Sequence, residues 1–487
     1  MSRRRFSRDE TLSPELLSAF DDYLRSELEG DYDDFMGHEP APEFVRVNPL
    51  RAEPTQVLDA LRSHGLEAHS HPAIAGAICV RRPKESTDPC GFLDHFAGHY
   101  VKQSLGSMIP AALLDAQAGE QVLDLCAAPG SKSTQLAAAM GEQGELWVND
   151  LAGMRMNPLA ARLDACGAAN VLMLNQPGER LASTLWQSFD RVLVDAPCSG
   201  LGDVANLPQI RDRFAHRKSA VTLSSLQYRL LVGALRLVRV GGRVVYSTCS
   251  LTVEENEAVL SPILDRFPVR LVPLPRLEGL VIREARLYHH GAPLNPALRL
   301  AGRIQPWENP TEGFFVAVLE KTAPLAQRFQ RLVTADALPM TETLAFDHPE
   351  ILPGLRAIAQ SYGLALEQLA GLRFWTHKDR LYFFAPQIQS FWQGGHRAGL
   401  PLGRWRQGML RLSHTAVQRF GAQLERNVVE VNTTQMQALA ETGYCDFDAS
   451  RIASPYPVLS YPPFGPLMTV AWTGSGLRWK RARAFVL

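Results

Sequence analysis

From about Tyr100 to Lys321 the chain alternates short, continuous apolar runs with longer amphipathic stretches. That is the pattern of a parallel sheet covered by helices on both faces. The runs predict strands over Gln121 to Leu125, Glu145 to Asn149, Asn170 to Leu174, Asp190 to Val194, Arg243 to Ser247 and Phe314 to Leu319. Between the fourth and fifth, Leu223, Leu226, Leu230, Leu231, Ala234, Leu237 and Val238 recur at three- and four-residue steps and predict a helix, with Gly241-Gly242 as its stop.

The flanks differ from this core. Residues 1–95 mix short apolar runs with turns, and Val57, Leu58 and Leu61 share one face of a predicted helix from Thr55 to Gly65. They predict a small α/β accessory domain. Residues 96–321 form the α/β core, and 322–370, punctuated by Pro339, Pro349 and Pro353, are expected to be a linker with a small helical element. Residues 371–487 are rich in aromatics, including Phe374, Trp375, Tyr382, Trp405 and Trp472, and predict a compact, mostly β module.

Composition sharpens this division. The 487 residues carry 50 basic and 50 acidic side chains, but 14 of the basic and only 6 of the acidic ones lie from Gly371 onward. A tail of net +8 on a body of net −8 has the charge of a clamp for a phosphate backbone. No run reaches the roughly 20 apolar residues needed to cross a bilayer, and Met1 to Glu10 is polar and charged, so neither export nor membrane insertion is expected. The 7 scattered cysteines lack Cys-x-x-Cys spacing. This argues against a disulfide framework and a zinc site, and for a reducing cytoplasm; no metal is expected.

The first predicted strand runs straight into Cys126-Ala127-Ala128-Pro129-Gly130-Ser131-Lys132-Ser133 and then a helix. Small residues at the carboxyl end of such a strand let backbone approach a cofactor closely. Neither Gly-x-Gly-x-x-Gly nor a phosphate-loop spacing is present. Asp150 ends the second strand 20 residues past Gly130, where a carboxylate can accept hydrogen bonds from ribose hydroxyls. These features suit an adenosine cofactor without phosphates.

Cys198 follows the fourth strand in Asp195-Ala196-Pro197-Cys198, and Cys249 ends the fifth in Tyr246-Ser247-Thr248-Cys249. If those strands are neighbours, their ends lie about 5 Å apart and both thiols open onto one crevice. Two thiols there have a specific use. A thiolate added to carbon 6 of cytosine makes carbon 5 nucleophilic toward a sulfonium methyl. A base must then remove the carbon-5 proton, a task open to the second thiol, while Asp195 could hold a proton at ring nitrogen 3. Buried structural cysteines are the commoner case, and that role is assigned to Cys79, Cys90, Cys126, Cys166 and Cys445.

The segments DLCAAPGSKS from Asp124, VDAPCSG from Val194 and YSTCSLTVEENEAV from Tyr246 closely resemble the signature motifs of the Nop/Sun family of RNA cytosine-5 methyltransferases. FVRVNPLRA from Phe44, GHYVKQSLGSMIP from Gly98 and EGFFVAVLEK from Glu312 resemble further family segments in the same order. The resemblance implies a Rossmann-like methyltransferase core that uses S-adenosylmethionine, with Cys249 attacking the base, Cys198 assisting elimination, and Asp195 and Lys132 beside them as catalytic residues. It implies a cofactor site of Cys126, Ala127, Ala128, Pro129, Gly130, Ser131, Lys132, Asp150, Arg155, Gln176 and Asp195. The stretch from Gly399, GLPLGRWRQGMLRLSHTAVQRFG, is similar to the PUA-like RNA-binding tail of the bacterial small-subunit rRNA members.

Two departures stand out. Family members place an Asp after the third strand, where this chain has Asn175-Gln176-Pro177; and Asp203-Val204-Ala205-Asn206-Leu207-Pro208 lacks the basic residue common there. The expectation is a cytoplasmic, monomeric enzyme that methylates cytosine in small-subunit (16S) rRNA, free or in the assembling small ribosomal subunit, with accessory and tail domains binding RNA. Methylation of tRNA, and a catalytically decayed RNA-binding assembly factor, stand as alternatives.

Overall fold

The computed structural model describes residues 14–83, 92–183, 185–205, 218–325, 340–392, 397–406, 409–462 and 464–479. Helix α1 (Pro14–Leu28) comes first. Strands β1 (Glu43–Val47), β2 (Glu67–Ser70), β3 (Ala77–Arg81) and β4 (Tyr100–Lys102) build an antiparallel sheet in the order β2-β3-β1-β4. Helix α2 (Pro54–Ser63) covers one face, burying Val57 and Leu61, four residues apart, with Val45, Ile78 and Val80. The other face sends Phe44 and Cys79 into the core of the neighbouring sheet.

The first 95 residues do not act as one unit. Phe20, Leu24 and Leu28 of α1, at four-residue steps, are buried against Leu201 and Leu251, which follow the two strand-end cysteines. Helix α1 therefore belongs to the central site and not to the N-terminal sheet, because its apolar stripe matches the loops there.

The central sheet and its surrounding helices run in the order α3 (Leu105–Leu114), β5 (Gln121–Asp124), α4 (Ser131–Met140), β6 (Glu145–Asn149), α5 (Gly153–Cys166), β7 (Val171–Leu174), β8 (Phe189–Asp195), α6 (Lys218–Leu237), β9 (Val238–Thr248) and α7 (Glu257–Arg266). After these come β10 (Val269–Val272), β11 (Arg283–Glu284), β12 (Tyr288–His289), β13 (Ala292–Pro293), β14 (Gly302–Ile304) and β15 (Phe314–Lys321). Strands β9, β8, β5, β6 and β7 run parallel in that order, and β15 lies antiparallel to β9. The pleat divides the core: Leu123, Val192 and Val194 point into one apolar layer, Val122 and Leu193 into the other.

Gly241-Gly242 does not stop α6. The helix ends at Leu237, and both glycines lie inside β9, where the β8–β9 register shifts between Phe189 and Arg191 and Gly241 takes a φ of +78°. A bulge consumes the pair.

Residues 340–370 are not a free linker. Helix α8 (Leu352–Tyr362) buries Leu355, Ile358 and Tyr362 with Phe374, Leu381 and Phe383 of the strands β16 (Arg373–His377) and β17 (Arg380–Phe384). Two further strands, β18 (Arg397–Ala398) and β19 (Leu400–Arg406), follow. Strand β18 pairs with β7 and so extends the central sheet. A second apolar cluster, from Val429 to Trp479, also takes in Leu93 and Ala97. The tail is thus helical as well as β, and it is stitched to the core at a sheet edge.

Candidate active site

Parallel pairing of β8 with β9 brings Asp195 opposite Ser247 and carries both following loops to the same end of the sheet. There the sulfur atoms of Cys198 and Cys249 lie 3.1 Å apart, both half-buried. Asp195 sits beneath them. It accepts a 2.7 Å hydrogen bond from the Ser247 hydroxyl and pairs at 2.8 Å with the Lys132 ammonium. Lys132, at the start of α4, also donates to Ser107 Oγ at 2.8 Å and lies 5.2 Å from the centre of the Phe314 ring. Burial alone would lower its pKa; the Asp195 carboxylate outweighs that and holds it above the usual lysine range. The hydrogen bond with Cys249, then burial, pushes the Cys198 thiol well up.

The loops are held from below by Glu255, a residue that no spacing in the chain singles out. Its side chain is fully buried. It accepts from Ser199 N (2.9 Å) and Ser199 Oγ (2.5 Å), beside Cys198, and from Ser250 Oγ (2.5 Å), beside Cys249. Gln227 of α6 donates to it at 3.0 Å. The Cys249 carbonyl accepts from Gly202 N at 2.8 Å, and Arg303, itself bidentate to the buried Glu257, donates to Leu251 O at 2.7 Å. One frame therefore fixes both thiols.

Across the crevice, Cys126 to Gly130 turns from β5 into α4. Gly130 has a φ of +109°, and a Cβ there would come within 2.8 Å of Leu159 Cδ1, so both conformation and space demand glycine. Asp150, at the end of β6, is buried; it accepts from Ala128 N (3.1 Å) and Ala152 N (2.8 Å) and faces Arg155 Nη1 at 3.7 Å. Gln176 is anchored through its backbone N–H to Asn149 Oδ1 at 3.1 Å. A narrow loop of small residues with a fixed carboxylate beside it fits a nucleoside whose ribose hydroxyls need an acceptor. Burial raises the Cys126 thiol well above its ordinary value, with Asp124 and Asp150 adding to it, which suits a structural residue. Cys79, Cys166 and Cys445 are buried in apolar clusters; Cys90 and Asn206 to Pro208 fall outside the described residues.

This fold and crevice define a Rossmann-like, S-adenosylmethionine-dependent methyltransferase with a β-containing C-terminal extension. Residues 111–320 match the family model described as 16S rRNA methyltransferase RsmB/F. The chain is 30% identical over 402 residues, 80% of either chain, to ribosomal RNA small subunit methyltransferase F of Klebsiella pneumoniae (strain 342). It is 34% identical over 288 residues to the 25S rRNA (cytosine-C(5))-methyltransferase nop2 of Schizosaccharomyces pombe, covering 58% of this chain and 46% of that one. A crystal structure of a methyltransferase homolog protein from Pyrococcus horikoshii superposes with a TM-score of 0.55 at 28% identity, over 64% of this chain and all of the other. The chain belongs to the RsmB/F family of Nop/Sun-type RNA (cytosine-5)-methyltransferases, and its methyl donor is S-adenosylmethionine.

Proposed function

We propose that the chain methylates carbon 5 of a cytosine in small-subunit (16S) rRNA through a covalent bond between Cys249 and carbon 6 of the base. The observation that carries this reading is the 3.1 Å approach of the two sulfurs beside the Lys132–Asp195 pair. In the resting site the hydrogen bond with Cys249 raises the Cys198 thiol, so Cys198 keeps its proton beside the nucleophile. The Cys249 thiolate adds to carbon 6 as ring nitrogen 3 takes up a proton from solvent, which it returns once carbon 5 has been methylated; the Asp195 carboxylate, with the Lys132 ammonium beside it, accepts the hydrogen bond from that N–H in between. Bound S-adenosylmethionine supplies an electrophilic methyl group on a sulfonium. Once bonded to carbon 6, the Cys249 sulfur is a thioether and a weaker hydrogen-bond acceptor, so the largest cause raising the Cys198 thiol is diminished. Cys198, partly open to the crevice, gives that proton to solvent and, as thiolate, takes the one on carbon 5, which restores its resting thiol; the electron pair of that C–H bond re-forms the carbon 5–carbon 6 double bond as the carbon–sulfur bond breaks and the Cys249 thiolate leaves.

Three features support an RNA target. The tail is basic, and a groove of about 810 Å³ where it meets the core is lined by Lys102, Arg162, Arg380, Arg404, Arg406 and Arg411. The named relative in Klebsiella pneumoniae is a small-subunit rRNA methyltransferase. The N-terminal sheet and the tail are accordingly read as RNA-binding domains, the tail as PUA-like, which together would grip phosphates while a base is splayed into the crevice. Free thiols at the reaction centre fit a reducing cytoplasm.

The test uses two variants and 16S rRNA from cells lacking the protein. Cys249→Ala should abolish methylation, while Cys198→Ala should accumulate a denaturation-resistant protein–RNA adduct. Unchanged methylation in either variant overturns the mechanism. Bisulfite sequencing that finds the lost mark in tRNA and none in 16S rRNA overturns the target.

A further inference from the structure

Away from the crevice, four potential metal ligands from three distant segments converge on one point. Glu27 near the end of α1, Glu254 in the loop after Cys249, and His289 and His290 at the β12–β13 hairpin each present a donor atom, all within 4.8 Å of one another. We propose that these four residues bind a divalent transition-metal ion, zinc foremost, which fastens α1 to the loop that follows Cys249.

Spacing is the first argument. His289 Nε2 lies 3.5 Å and His290 Nε2 3.7 Å from the same oxygen, Glu27 Oε1. Those separations exceed the roughly 3.2 Å limit of a good N–H···O hydrogen bond. They approach the edge of a tetrahedron: metal bonds of roughly 2.0–2.2 Å to imidazole nitrogen and carboxylate oxygen put neighbouring donors about 3.3 Å apart. The two imidazoles need only a slight closure on Glu27, while the full set of four, within 4.8 Å of one another, closes by side-chain rotation.

Satisfaction and charge supply the second. The Glu27 side chain is 1% exposed, and its other oxygen accepts from Val253 N at 3.0 Å. His289 Nε2 is sealed from solvent and has no hydrogen-bond partner, an orphan that buried polar atoms rarely remain. A second carboxylate, Glu254, half-buried and already accepting from the Tyr23 hydroxyl, joins the first, and two carboxylates clustered this closely call for a cation. Arg286, in the same corner, gives its donors to the backbone carbonyls of Glu27 and Leu28 instead. Two imidazoles and two carboxylates form a borderline donor set suited to zinc and its first-row neighbours. His290, 61% exposed at its side chain, gives the ion a route in.

The test treats full-length protein with a chelator, adds zinc chloride, and counts metal retained after desalting. One zinc ion per chain is expected, with a higher melting temperature that chelator reverses. His290→Ala, at an exposed turn that should leave folding intact, and His289→Ala should each weaken zinc binding roughly tenfold or more. Cobalt(II) in place of zinc should give ligand-field bands without thiolate charge transfer. No retained ion, unchanged affinity in His290→Ala, or a thiolate charge-transfer band that relocates the ion to the cysteines would each overturn the proposal. None of these readouts depends on methyl transfer.

Discussion

Cys198 Sγ and Cys249 Sγ face each other at 3.1 Å, each at the end of its own parallel strand and each partly open to the crevice. Thiols so close are poised to exchange hydrogen for a sulfur–sulfur bond when an oxidant accepts it, since closure to a bond of about 2.05 Å needs only small side-chain shifts. Treatment with diamide, which takes up the two hydrogens, should inactivate the enzyme, and dithiothreitol should restore it. Maleimide labelling after diamide should spare both residues in the folded protein. Full labelling of the pair would show that the frame keeps the sulfurs from closing.

Glu255 is the keystone of that frame, because its buried carboxylate receives donors from both cysteine loops and from α6. Glu255→Ala strands these donors, of which Ser250 and Gln227 are buried from water. Breaking such a buried charged network costs about 3–5 kcal/mol, so the melting temperature should fall by several degrees. Methylation should fall further than unfolding explains, since the sulfurs lose their alignment. Thermal denaturation with single-turnover methyl transfer on the same preparation separates the two. A variant that melts and reacts like the parent would remove Glu255 from any supporting role.

Much of this layout is legible in the chain itself, for definite reasons. Strands β5 to β9 are continuous apolar runs because both faces of a parallel sheet are covered. Their carboxyl-terminal loops mark the crevice for the same topological reason. Glu255 is opaque: its partners Ser199 and Gln227 are 56 and 28 residues away, and nothing local sets it apart from Glu254 or Glu257. Helix α1 is misassigned to the N-terminal unit because proximity in sequence says nothing about whether Leu24 meets β1 or Leu251. Gly241-Gly242 reads as a helix stop because bulge and stop draw on the same residue type. The convergence of Glu27 with His289 is likewise tertiary, and cysteine spacing gives no hint of it.

Asp195 faces the crevice with a side chain 28% exposed, while Lys132 behind it is 11% exposed. Asp195→Asn keeps the shape but removes the charge that holds Lys132 and the group proposed to manage the proton at ring nitrogen 3. Loss of one such electrostatic contact typically costs about 10²–10³ in rate. The turnover number should fall by about that factor, with the melting temperature close to the parent's. A rate within a factor of about three of the parent would be incompatible with transition-state stabilisation of that size.

Asp124 closes β5 directly beneath the cofactor loop, 1% exposed. Burial raises its carboxyl pKa to about 7, a shift that the Ser133 hydroxyl at 2.7 Å partly offsets. In the unfolded chain the same group titrates near about 4. The folded state therefore holds the proton more tightly, so the stability linked to it is complete below about pH 4 and is lost as pH rises through about 7. Asp124→Asn imitates the neutral form and escapes that loss. The variant's stability relative to the parent should improve by about 2–3 kcal/mol between about pH 5 and pH 8, from 1.36 kcal/mol per pKa unit. Urea denaturation of both proteins across that range is the measurement. A difference that stays flat with pH would mean Asp124 is ionised in the fold throughout, and that burial does not control it.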